Sequence, residues 1–468
     1  MPITPKLVPS IETRTNASVD VINAIRNDAS MDYQKYVPIA TPDTESIRKI
    51  GAIIMDYPAL QNEFLSSLIN RISKVYIQSK LYQNPWAFLK KGYLEFGETV
   101  EEIFVDLAKP FQYDPAVAEN LVFKRVKPDV YSAFHIRNYQ KFYKVTIQQA
   151  DLKAAFLSWD GVSNLITKII EELTTSANYD EFLVMKYMIM RAILDGKMYA
   201  TNIADTNITT VDGKYKKLAT VLRGVSNKLT FMKRQYNLAG VATYTKRDNQ
   251  YIFMDADTEG AFDVNVLAAA FNMDKATYLG HRVLVDDWNE IDSDRLAELF
   301  QFDDTYVPIS DAEFAVLSKV RACVVDLSWF QIYDHLDEFT EQYNGEGLYW
   351  NYFYHVWKTF SISPFANGLV FVDDSNTIAV TNVSISPQTV TTSAGQSVQF
   401  IADVTTNGFA PKKVEWSIDD DAREAGVTIN QQGAVTIPDD VGELTEITVT
   451  ATSEYTDTVS DTATITIA

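Results

Sequence analysis

The chain has 468 residues, 46% of them hydrophobic and 12% aromatic, with a single cysteine, Cys323. That composition builds a large core and excludes wholesale disorder, and the length suggests two to four domains. Its 41 basic and 62 acidic side chains leave a net charge of −21. This balance argues against gripping nucleic acid or an anionic membrane, though not against enclosing DNA without holding it. One cysteine allows no internal disulfide, which suits a reducing compartment or a large fold that needs no staple.

The first stretch, MPITPKLVPS, has no basic region followed by an apolar one, so no signal peptide is read there, and the expectation is a soluble protein made in the cytoplasm. Residues 1–50 are rich in Pro, Thr and Asp around an island VINAIRN (21–27), which reads as an extended N-terminal arm with one short helix. Pro58 opens an amphipathic helix with Leu60, Phe64, Leu68 and Ile72 at i, i+4 spacing.

Residues 74–148 read as a long two-stranded excursion, charged on both faces. Gly92 and Gly97 mark turns, Ile103, Val105 and Leu107 alternate with polar positions, and residues 123–147 are rich in aromatic and β-branched side chains. An isolated ribbon is marginal in water, so it needs something to lie against, and a neighbouring subunit is a natural candidate. Lys90, Lys91, Glu101 and Glu102 put both signs on this projection and are the expected inter-subunit contacts.

Two helices are expected next, Val162 to Leu173 with Leu165, Ile166, Ile169 and Ile170 on one face, and Tyr179 to Leu194, apolar nearly all round and therefore buried. Residues 196–320 mix helices and short strands. Leu218, Leu222, Val225 and Leu229 line one helix, and strand-like YIFMDAD (251–257) precedes helical AFDVNVLAAAF (261–271). Residues 321–372 return as strands.

Gly347 to Phe360 holds seven aromatic side chains. Asn351, His355, Lys358 and Thr359 interrupt it, so it is no membrane span. Both a strand and a helix fit the spacing, and aromatic enrichment favours a strand. Rings fall at odd and even positions alike, so both strand faces are expected to be buried, with Trp350, Tyr352, Tyr354 and Trp357 as core residues; a ligand-stacking platform is the alternative.

A linker over 373–380 leads to residues 381–468, where short strands alternate with turns at Gly395, Gly408 and Gly433. The pattern is that of an Ig-like β-sandwich. It carries three basic and thirteen acidic side chains, which suits an exposed position on an assembly surface.

Little chemistry stands out. His135, His281, His335 and His355 are scattered outside metal-ligand spacing, and no P-loop, G-x-G-x-x-G or G-x-S-x-G occurs. Cys323 sits in an apolar run that favours an inert thiol. DADTEG (255–260) starts like a calcium loop but has Val266 where the bidentate carboxylate belongs, so helix capping is the plainer reading. Asp419–Asp421 read as a solvated loop. No catalytic, metal or cofactor site is expected.

The order of parts resembles the Hong Kong 97 fold of tailed-phage capsid proteins, an α+β fold with N-arm, extended loop, peripheral domain with spine helix, and axial domain. VINAIRN (21–27), YVPIAT (36–41), FLKKG (88–92), GETVEEIF (97–104), AAAFNMD (268–274) and GLYWNYFYHVW (347–357) resemble the major capsid proteins of phi-29-like podophages, which also end in a group 2 bacterial Ig-like domain. The resemblance spans essentially the whole chain. It implies a capsid-fold domain over 51–372, with its extended loop at 74–148 and axial domain at about 196–320, and a non-enzymatic protein. Such a protein assembles with itself as hexamers and pentamers into an icosahedral or elongated shell around double-stranded DNA, without sequence-specific binding and without a membrane. It further implies a separate scaffolding protein, a portal at one vertex and assembly in the host cytoplasm. A surface adhesin with an Ig-like module is the alternative; a carbohydrate-active enzyme with such a module is a third.

Overall fold

A computed structural model describes residues 17–72, 82–95, 99–108, 110, 130–148, 161–205, 207–208, 210–262, 281–374 and 378–467. The AAAFNMD stretch (268–274) and most of the helix read over 261–271 lie outside the described residues, as do the side chains of Leu68, Ile72, Leu165, Ile166, Ile169 and Ile170.

Helices open the described residues, where over 17–50 an extended arm with one short helix was expected: α1 (Ala17–Asp28), α2 (Met31–Tyr36) and α3 (Thr44–Asp56), then α4 (Pro58–Ile72). Ile22, Ile25, Tyr33, Ile47, Ile50, Ile54 and Phe64 are buried among them. The polar residues that suggested an arm instead close the turns. Ser30 and Asp43 accept from the amides of Tyr33 and Ser46 as helix N-caps. Arg26 donates to the carbonyls of Val37 and Gln34, and Asn23 bonds Ala40 in both directions.

Strand β1 (Gly92–Tyr93) follows. Strands β2 (Val100–Val105) and β3 (Val130–His135) form an antiparallel ribbon, Val100 opposite His135 and Val105 opposite Val130. Among the described residues of the expected excursion only this part is a two-stranded ribbon, because β4 (Tyr139–Gln148) leaves it to pair with the aromatic strand. A single helix α5 (Gly161–Leu194) replaces the two expected. The polar stretch between them, TTSAN (174–178), contains neither Gly nor Pro, and the Ser176 hydroxyl bonds back to the Glu172 carbonyl, so the helix runs on.

Next come β5 (Tyr199–Asn202), α6 (Val211–Leu229), β6 (Gln250–Asp255), α7 (Ala256–Phe262) and β7 (His281–Val285). Helices α8 (Ser293–Leu299) and α9 (Asp311–Leu317) precede β8 (Val320–Asp326), β9 (Phe330–Asn344), β10 (Tyr349–Ile362) and β11 (Gly368–Val372). Asp255 accepts from the Thr258 amide and hydroxyl, so the DADTEG carboxylate is a cap, as read.

Two compact units divide the described residues: those up to 98 with 137–182 and 332–359, and those of 99–136 with 183–331 and from 360 on. In the first, the sheet order is β1-β9-β10-β4, so the aromatic strand β10 is central. Its faces are unequal, contrary to the expectation of two buried ones. Trp350, Tyr352, Tyr354, Val356 and Lys358 are buried, whereas Tyr349, Asn351, Phe353, His355 and Trp357 are half-buried. Trp357 is thus no core residue; the Arg137 guanidinium lies over its ring at 4.7 Å. Rings at both sets of positions obscured an ordinary two-residue alternation.

In the second unit, a five-stranded sheet runs β5-β11-β8-β6-β7. Leu218, Leu222, Val225 and Leu229 of α6 cover one face, against Ile252, Met254, Ala322, Val324, Leu369 and Phe371. Cys323 lies between Phe253 and Val370 in register, fully buried, as expected of an inert thiol.

Residues 379–467 form the expected sandwich from β12 (Ala379–Ser386), β13 (Thr389–Thr392), β14 (Ser397–Gln399), β15 (Ile401–Asn407), β16 (Val414–Ile418), β17 (Thr428–Ile429), β18 (Ala434–Thr436), β19 (Glu446–Ser453) and β20 (Ser460–Ile467). Phe400, Trp416, Val435, Ile447, Val449, Ala463 and Ile465 fill its core. The Asp419–Asp421 stretch is no open loop: Asp419 caps the short helix α10 (Asp420–Glu424). Gly395, Gly408 and Gly433 all take positive φ, as their turn role requires.

Candidate assembly surfaces

The β2–β3 ribbon has an inner and an outer face. On the inner face Phe104 stacks on Phe365 at 5.6 Å between ring centres. His135 places Nδ1 2.8 Å from the Ser361 hydroxyl and Nε2 3.3 Å from the Glu102 carboxylate, and the Ser363 hydroxyl donates to Glu102 at 2.8 Å. Just past β2, Asp106 receives two hydrogen bonds from the Arg234 guanidinium, at 2.6 and 3.0 Å. Burial pushes the Asp106 carboxyl up, but the bonds from Arg234 and the Leu107 amide outweigh it and hold it below the usual range. The outer face carries Glu101, Ile103, Val105, Val130, Ser132 and Phe134, all exposed. Grouped exposed apolar side chains mark an interaction surface.

The four expected contact residues are not brought together. Lys90 is turned inward, its ammonium 3.0 Å from Asp334 and 3.4 Å from Glu181. The Lys91 side chain is exposed, and its amide donates to the Ile332 carbonyl where β1 meets β9. Glu101 stands on the outer face opposite Phe134, and Glu102 is engaged on the inner face. The sequence reading overlooked the outward apolar set. Its alternation was visible at Ile103 and Val105, but alternation gives two faces without saying which one the protein covers.

A buried charge cluster lies in the first unit. Glu181 of α5 accepts from Lys358 of β10, from Lys90 and from the Asn84 side chain. Lys358 also donates to Asp334 of β9 at 2.6 Å. Burial raises the Asp334 carboxyl, but the charges and bonds of Lys358 and Lys90 outweigh it and hold the pKa below the usual range. Burial lowers the Lys90 ammonium, but Glu181 and Asp334 more than reverse it. Neighbouring Asp180 accepts from the Tyr143 hydroxyl at 2.7 Å, and burial, the first cause, pushes that phenol far up. Paired and hydrogen-bonded in this way, the cluster joins helix to sheet with few unmet polar groups.

The histidines are packing residues: His335 bonds Thr359, His355 bonds Thr340, and His281 stacks on Tyr251. Among the described residues no group of three His, Cys, Asp or Glu side chains is placed to hold a metal ion, and no helix is long and apolar enough to cross a membrane.

Comparison with known proteins gives the family of the chain. Residues 22–372 match the family described as Phi29-like phage major capsid protein, and residues 379–463 match the bacterial Ig-like domain, group 2. The chain is 36% identical to the major capsid protein of Bacillus phage B103 and 34% identical to that of Bacillus phage PZA, covering 93% of this chain and 90% of each relative. Among solved structures, the capsid of Staphylococcus phage Andhra is similar at a TM-score of 0.48 and 15% identity, covering 64% of this chain and 87% of that one. The adhesin alternative gives way to the family match, which takes in three quarters of the chain. The α+β chain therefore belongs to the Phi29-like phage major capsid protein family, a structural capsid subunit with a group 2 Ig-like domain following its capsid region.

Proposed function

We propose that the protein assembles with copies of itself, as hexamers and pentamers, into a closed icosahedral or elongated shell around double-stranded DNA. A scaffolding protein guides assembly, a portal occupies one vertex, and the work takes place in the host cytoplasm. Its role is structural rather than enzymatic. Within the shell, the outer face of the ribbon lies on a neighbouring copy. The observation that carries this is the asymmetry of β2–β3, whose inner face is fixed to its own chain by Phe104, Glu102 and His135 while Ile103, Val105, Val130 and Phe134 stand in solvent. Burying such side chains stabilises by about 25 cal/mol per Å², and many modest contacts add up over a closed shell. Glu101, beside Phe134, contributes orientation more than affinity. The net charge of −21 supports a container whose contents are not gripped.

The test is expression with the candidate scaffolding partner followed by negative-stain microscopy. Closed shells are expected from the unaltered chain. Phe134→Glu or Ile103→Lys is expected to leave the melting temperature of the unassembled subunit within about 2 °C and to abolish shells, as surface substitutions change little in the free protein. Normal shells from both variants would remove the ribbon face from the interface.

A further inference from the structure

The Ig-like module is seated on the capsid region of its own chain. Its loops at 410–413 and 454–455 meet segments 196–200 and 234–240. Two glycines allow the approach. Gly196, at φ +67, would place a Cβ 3.1 Å from the Ala410 carbonyl oxygen and 3.3 Å from Lys412. Gly240, at φ +66, would place one 2.9 Å from the Lys413 ammonium. The Tyr455 ring packs edge-on against Tyr199 at 5.6 Å, Tyr199 packs against Tyr236 at 5.2 Å, and the Tyr455 hydroxyl donates to the Ala200 carbonyl at 3.4 Å. A cavity of about 20 Å³, room for roughly one water, remains between them. Lys413 is largely buried here, paired with Glu454 at 2.9 Å and donating to the Arg234 carbonyl at 3.1 Å. Burial pushes its pKa down, the mark of an ammonium withdrawn from water. A module held only by a linker would leave that lysine in solvent.

Arg234 has a second engagement. Its carbonyl takes the module's lysine, while its guanidinium clamps Asp106 just past the end of β2 and also donates to the Gly240 carbonyl at 3.1 Å. A bridge between Lys233 and Thr243 closes the segment around it. One residue thus touches the module through its backbone and the ribbon through its side chain.

We infer that the Ig-like module is a brace for the ribbon at the end where β2 leaves it, acting through the Arg234 segment, so that seating of the module sets the order of β2 and β3. The inference deepens the proposed function, on which it rests for the ribbon's role in assembly. A bidentate arginine fixes geometry as well as energy, and a segment held on both sides has fewer ways to move. The module then serves the subunit that carries it, whatever it meets outside the shell.

Hydrogen exchange on the full, unassembled chain tests this. Tyr455→Ala is expected to raise exchange at 100–106 and 130–135 by about tenfold while the module core at Val449 and Ile465 stays protected. Arg234→Met is expected to raise ribbon exchange to a similar degree, and the double variant no further than either alone. If Tyr455→Ala unfolds the module, Tyr455→Leu, closer in volume, takes its place. Loosened module loops with an unchanged ribbon would overturn the inference, and so would fully additive effects. The readout needs no shells, so a failure of the unaltered chain to form them would count against the proposed function and leave the exchange result to decide the brace.

Discussion

Trp350 and Trp357 lie on one strand seven residues apart, and the pleat sends them to opposite faces. Trp350 is buried and packs against Tyr343 at 4.6 Å. Trp350→Ala should therefore cost about 3–5 kcal/mol through the cavity it leaves. Trp357→Ala, on the half-exposed face under Arg137, should cost about 1–2 kcal/mol. Denaturant melts of the two purified variants check the ordering; equal losses would mean the two faces are equally packed. The charge cluster carries its own expectation. Asp334 has its pKa depressed on folding, so its stabilisation is present above the unfolded carboxylate value of about 3.9 and is lost as pH falls through the folded value. Asp334→Asn should thus be clearly less stable than the parent at pH 7, with the gap shrinking below about pH 4. A gap independent of pH would assign the effect to packing. Such a cluster was half legible in the sequence. Lys358 interrupts an apolar run and Glu181 stands at the head of one, and a charge so placed needs a partner. Which partner was not legible, because the two lie 177 residues apart.

Elements with strong local signals were readable from their residues alone. Helix α6 shows its apolar stripe at Leu218, Leu222, Val225 and Leu229, and all four are buried. The Ig-like turns announced themselves through glycine. Gly433 shows why: at φ +81 its Cβ would lie 2.5 Å from the Phe400 carbonyl oxygen and 2.9 Å from the Trp416 ring. Gly433→Ala should lower the module's stability by at least about 1–2 kcal/mol, measured as loss of protection confined to residues 379–467. Elements whose form depends on distant contacts were misread. Helix α5 reads as two helices although it runs unbroken through the polar stretch 174–178, and α2 and the start of α3 read as arm around the one short helix at 21–27 because the turns between them are closed by side-chain bonds such as those of Arg26 and Asn23. The ribbon face was the hardest. The pattern of Ile103, Phe104 and Val105 is symmetric, and only contacts with residues some 260 positions later, Ser363 and Phe365, decide which side turns in.

For the molecule as a whole, charge governs association more than folding. At −21 per chain, copies brought together repel one another, and the repulsion is screened as the Debye length shrinks from about 30 Å at 0.01 M to about 8 Å at 0.15 M salt. Shell yield at fixed protein concentration should rise steeply over that range, read by light scattering, and then level off. A yield that falls with salt would point to ion pairs across the interface as the dominant attraction. Cys323 adds a practical property. It sits in the middle strand of the five-stranded sheet, fully buried, and burial raises its thiol well above the usual value. With a thiol this deep and no other in the chain, a maleimide added to the native protein finds nothing to react with until that sheet opens. A single new surface cysteine then carries a probe without background, and labelling at Cys323 itself becomes a clock for the opening of the capsid region.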